Sequence, residues 1–132
     1  MKKILLLTCI FFLATGFTWA GSLAEQRGIL ELDAVWSISE GALDCRGICT
    51  VQEGSSLHIR VTLQASYEGR DWSSVHDVTR FISQSGRSET LLSAPRWDPA
   101  ASYRVKVSAE AFDGQNLLDS EVRYAYIDFP KT

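Results

Sequence analysis

The sequence predicts an all-β fold, a two-sheet antiparallel sandwich of about seven strands. Three observations carry this expectation. Apolar and polar residues alternate with a period of two over most of the chain. Loop-forming clusters punctuate these runs at short intervals. The chain has 132 residues, and the portion beyond its first twenty is one domain's worth of sequence with no repeat, low-complexity tract or interdomain linker.

Residues 1–20 read as a leader. Lys2 and Lys3 precede an apolar stretch from Ile4 to Phe17, and Trp19-Ala20 then leads into Gly21. A positive start, a short apolar run and a small-residue exit form a secretory signal peptide. The run is shorter than the roughly 20 apolar residues a membrane span needs, and no later segment is more apolar. Cleavage would leave residues 21–132 as one domain, with no membrane insertion after cleavage, in the periplasm or secreted. Cys9 would leave with the leader. The mature chain would carry 11 basic and 16 acidic residues, a net charge of −5, which leaves no electrostatic footprint for nucleic acid.

The first alternating run places Leu30, Leu32, Ala34, Trp36 and Ile38 on one face. Ser39-Glu40-Gly41 then marks a turn. Cys45 and Cys49, three residues apart around Gly47, read as a disulfide that staples a tight loop, since an exported chain meets an oxidising compartment. A redox-active pair would have the CxxC spacing at a helix start. A metal site would need two further ligands, and only His58 and His76 are on hand.

After Gln52-Glu53-Gly54-Ser55 comes a second run, with Ile59, Val61, Leu63, Ala65 and Tyr67 on its apolar face. Residues 71–83 fit two patterns. Ser74 and Asp77 resemble a capping box, with Val75, Val78 and Ile82 on one helical side. As a strand, Trp72, Val78 and Ile82 share a face opposite Val75 and Phe81; the strand is preferred because the rest of the chain is so uniformly β. Later runs place Tyr103, Val105, Val107, Ala109 and Ala111 on one face, and Val122, Tyr124 and Tyr126 on another, each set expected to lie on the core. Asp113-Gly114-Gln115-Asn116 joins them as a hairpin. Residues 22–27 and 130–132 read as frayed ends.

The stretch from Leu92 to Ala109 resembles the corner between the fifth and sixth strands of a fibronectin type III or related immunoglobulin-like domain. Trp97, Pro99, Tyr103, Val105, Val107 and Ala109 take the matching places, and the likeness runs over roughly residues 88–127. The resemblance implies a sandwich in which the Tyr103 ring is buried and its hydroxyl returns to backbone in the preceding bend. Fold alone implies no activity.

No catalytic constellation is legible. Ser73 and Ser74 near His76 lack a nucleophile elbow. Most carboxylates fall on outward strand positions or in turns, and Asp113, Asn116 and Asp119 do not match a calcium-loop spacing. The expectation is therefore a non-enzymatic exported module, with no cofactor and no metal, that binds a protein or cell-surface component through loops or an edge strand. Arg70, Asp71 and Trp72 are the first candidate binding residues, because interfaces favour Trp and Arg, and the stapled loop Cys45–Cys49 is the second. A carbohydrate-binding module, with Trp72 and Tyr67 as stacking faces, and a secreted enzyme inhibitor are the alternatives.

Overall fold

The computed structural model of the chain describes residues 28–129; the leader, the cleavage point and both end segments lie outside them. The described residues form seven strands: β1 (Ile29–Ser39), β2 (Ala42–Val51), β3 (Ser56–Ser66), β4 (Ser73–Ile82), β5 (Gly86–Ala94), β6 (Ser102–Asp113) and β7 (Asn116–Ile127). They make two antiparallel sheets with orders β1-β2-β5 and β4-β3-β6-β7, packed face to face as a sandwich. Residues 73–82 are strand, in keeping with the uniformly β chain around them; Val78 and Ile82 pack on the core, but Trp72 precedes the strand and does not share their face.

The turn signals act where they stand. Glu40 and Gly41 both take positive φ, 54° and 80°, so the two-residue loop between β1 and β2 has the primed geometry that matches strand twist. The Gly114-Gln115 turn sets Asp113 opposite Asn116. Ser55 donates its N–H to the Gln52 carbonyl at 3.0 Å and closes the link from β2 to β3.

The core is built by the alternating sets of β3 and β6. Leu57, Ile59, Val61, Leu63 and Ala65 are buried beside Tyr103, Val105, Val107, Ala109 and Ala111. They face Leu43, Cys45, Cys49 and Val51 of β2. Tyr67, expected on the β3 apolar face, lies past the strand end and is exposed.

The disulfide expectation is corrected. Residues 45–49 are the middle of β2, not a loop, and both cysteines are free and buried. Four residues of extended chain span about 13 Å, whereas a disulfide needs Cα atoms within about 7 Å. The two thiols instead share the inward face of β2 with Gly47 between them. Burial pushes Cys45 up to about 12 and Cys49 up to about 11, so both stay protonated. Gly47 has a packing role rather than a turn role. A Cβ there would stand 2.9 Å from both Val61 Cγ2 and Val107 Cγ1 of the facing sheet.

Three one-residue bulges interrupt the alternation. They fall at Leu30 in β1, Val75 in β4 and Leu118 in β7, and each throws its apolar side chain into solvent. Leu30 is therefore corrected from the apolar face of the first run: Ile29 is buried in its place. The bulge at Leu118 has the widest effect. Past it, Val105 pairs with Ala125 and Tyr103 with Ile127. Without it, the register set by the Asp113–Asn116 pair would place Tyr124 opposite Val105. The inward side of β7 is thus Asp119, Glu121, Arg123, Ala125 and Ile127, and the expectation that Val122, Tyr124 and Tyr126 lie on the core is overturned.

Candidate functional site

The reversal of β7 gives the outer face of the four-stranded sheet its character. The pairings lay out four rows across the strands in the order β4, β3, β6, β7. The first is Ser74, Gln64, Arg104 and Tyr126; the second is Asp77, Thr62, Lys106 and Tyr124. The third is Thr79, Arg60, Ser108 and Val122, and the fourth is Phe81, His58, Glu110 and Ser120. Tyr126 is 62% exposed and Phe81 78%, and Val122 and Tyr124 are also exposed.

At the first row Trp72 folds back over the sheet from the loop that precedes β4. Its ring meets that of Tyr126 edge to face, with centroids 5.9 Å apart and planes inclined by 73°. The Arg104 guanidinium lies 4.4 Å from the Trp72 ring centroid and 4.4 Å from that of Tyr124. Arg104 Nε donates to Gln64 Oε1 at 2.7 Å, and Nη1 donates to the Tyr126 hydroxyl at 3.1 Å. Gln64 and Thr62 face outward yet are buried beneath this cluster of side chains.

The opposite end of the face is charge-balanced. His58 Nδ1 lies 2.9 Å from Glu110 Oε1, and its ring stacks on Phe81 with centroids 4.3 Å apart. Arg60 donates to Asp77 at 2.6 Å. A hollow of about 300 Å³ opens here, lined by His58, Arg60, Ser108, Glu110, Ser120 and Val122. Neither serine hydroxyl hydrogen-bonds the imidazole, so the His–Glu pair has no nucleophile in its line. Among the described residues no three His, Cys, Asp or Glu side chains gather as metal ligands would. Asp119, considered for calcium, accepts the Ile29 N–H at 3.2 Å instead.

Of the residues singled out in the sequence, Trp72 belongs to this face. Arg70 and Asp71 are exposed in the adjoining loop, where Arg70 reaches Glu68 at 3.4 Å in an ion pair open to solvent. Tyr67 is held at the sheet end, its hydroxyl donating to Asp98 Oδ2 at 2.8 Å. That bond raises the tyrosine pKa. Asp98 is in turn held below its usual value, first by the Ala100 N–H and then by Tyr67. Tyr103, beside this corner, is buried as expected: its hydroxyl accepts the Asp98 N–H at 2.7 Å. Arg104, Lys106, Tyr124, Tyr126 and Phe81 were not legible as a surface, because their exposure depends on strand register.

No protein-family model matches the chain, and no curated protein is recognisably similar to it in sequence.

Proposed function

We propose that the chain is an exported, non-catalytic binding module that contacts a protein or surface component outside the cytoplasm. Its contact surface is the outer face of the four-stranded sheet with the 67–72 loop beside it. The observation that carries this reading is the outward display of Trp72, Tyr124 and Tyr126 around Arg104, a set of side chains enriched at interface centres. Strand addition at an edge is less favoured. β7 turns Glu121 and Arg123 inward, β4 does the same with His76 and Arg80, and both strands carry a bulge, which are devices that blunt edges.

The fold type within the sandwich class is a further part of this reading. In a constant-type immunoglobulin sandwich the fourth strand joins the sheet of the first, second and fifth. Here it pairs with the third, which favours the fibronectin type III arrangement. The buried Tyr103 hydroxyl bonded to the Asp98 N–H supports the same kinship. With residues 45–49 as plain strand, the first half of the chain no longer departs from that pattern.

A carbohydrate-binding role is the second reading, favoured by the three neighbouring aromatics. The 73° inclination between Trp72 and Tyr126 counts against it, because a sugar ring stacks on a flat face.

The test is crosslinking of the native chain in its exported fractions, followed by mass spectrometry. A specific protein captured by the wild type and lost in Trp72→Ala is the expected result. Recovery of monomer alone, with or without bound glycan, would overturn the proposal.

A further inference from the structure

Resting on that binding-module reading, we infer that the end of the outer face built from Trp72, Arg104, Lys106, Tyr124 and Tyr126 docks an acidic, extended polypeptide segment.

The argument begins with charge. Arg60, Arg70, Arg87 and Arg123 each have a carboxylate partner, at 2.6, 3.4, 2.9 and 3.1 Å. Arg104 has neutral partners only, Gln64 and the Tyr126 hydroxyl, and aromatic rings around it. Lys106 occupies the next outward position of β6 and makes no ion pair among the described residues. Two cations without carboxylates therefore stand side by side on a chain whose net charge is −3. A patch of the opposite sign to its molecule selects an anionic partner.

Geometry narrows the partner. Outward positions two apart on a strand are about 6.6–7 Å apart. That is also the spacing of alternate side chains in an extended peptide, so carboxylates at positions i and i+2 would match Arg104 and Lys106. Tyr124 and Tyr126 repeat the same spacing beside them and offer apolar contact. Arg104 is already held by two hydrogen bonds, so little side-chain freedom remains to be lost on binding. Glu110 lies further down the face and repels an acidic segment that strays from this end, while Asp77, in the Lys106 row but two strands away, has its charge met by Arg60 at 2.6 Å. The inclined rings disfavour an anionic glycan, which would need a stacking platform.

The test titrates the whole chain with a synthetic alternating Glu-Thr peptide, read by tryptophan fluorescence at increasing salt. Expected is binding that weakens as salt rises and falls about tenfold or more in R104Q/K106Q. R46Q, on the outer face of the other sheet, should leave it unchanged. R46Q should melt as the wild type does, and R104Q/K106Q should stay folded with a slightly lower melting temperature, since Gln64 loses its Arg104 donor. Several results would overturn the inference: no peptide binding, equal loss in R46Q, or sodium alginate binding as well as the peptide. Sedimentation showing self-association that R104Q/K106Q abolishes would make the occupant a second copy and overturn it too. A partner captured equally by wild type and R104Q/K106Q would sink this inference and leave the module reading standing. Capture of no partner at all would sink the module reading instead.

Discussion

β6 and β7 are adjacent strands of twelve residues, joined by a two-residue turn, and both alternate apolar with polar side chains. β6 buries its apolar set: Val105 and Val107 are wholly inaccessible. β7 displays Val122, Tyr124 and Tyr126 to solvent and turns Glu121 and Arg123 inward. The difference lies in position and register. β6 is central, flanked by β3 and β7, so both its edges are paired and its inward face meets the other sheet. β7 is an edge strand whose inward side reaches the sandwich margin near β1, where Glu121 and Arg123 pair at 3.1 Å and only Ala125 and Ile127 join the core. Alternation identifies a strand with two unlike faces; it does not say which face the core takes.

The largest effect that could break this comparison comes from placing a charge on each strand. Val107→Asp should abolish folding, since an unpaired buried carboxylate costs several kcal/mol against a total stability of about 5–15 kcal/mol. Val122→Asp should stay within about 0.5 kcal/mol of the wild type in chemical denaturation. Comparable losses in the two variants would mean that β7 sits in the other register.

Gly47→Ala sharpens the account of the sheet–sheet contact. Its new methyl would meet the stiff β-branched Val61 and Val107 at 2.9 Å, and overpacking of this kind costs about 1–3 kcal/mol. A tight-loop role for Gly47 predicts no such strain against the facing sheet. Suppression of the Gly47→Ala loss by Val61→Ala would confirm the contact.

Tyr103→Phe should cost about 1 kcal/mol, because the Asp98 N–H loses its acceptor. The ring contact with Phe129, centroids 5.7 Å apart, would remain. An unchanged denaturation midpoint would remove the corner hydroxyl from the account.

The smallest effect concerns the thiols. Their folded-state pKa values of about 12 and 11 lie above the ordinary 9.0. The folded state therefore keeps protons that the unfolded state releases. Their contribution to stability is complete below about pH 9 and fades as pH rises toward 11–12. The Cys45→Ala, Cys49→Ala double variant should be less stable at pH 8 yet lose less between pH 9 and 11. Thiol titration of the unreduced native chain should find neither cysteine reactive until it is unfolded.

Much of this was legible in the residues. Ile59, Val61, Leu63 and Ala65 lie on the core as their alternation predicts, as do all five of Tyr103, Val105, Val107, Ala109 and Ala111; Tyr67 alone of the two sets falls outside it. The Glu40-Gly41 and Gly114-Gln115 turns followed from their chemistry. Cys45 and Cys49 misled because spacing alone does not separate a loop from a strand. In a strand the fourth residue on returns to the same face, at a distance no disulfide bridges. Trp72 was recognisable as a surface aromatic, but its partners Arg104 and Tyr126 lie 32 and 54 residues away in sequence.

Period, turn chemistry and local backbone preference specify the all-β class, the hairpin turns and the apolar faces of β3 and β6, all from residues close together in the chain. Tertiary structure alone decided which side of β7 faces the core. A side-chain period of two makes one extra residue at Leu118 enough to turn the strand over, and no local pattern records that residue's pairing. The candidate binding face exists because of that decision.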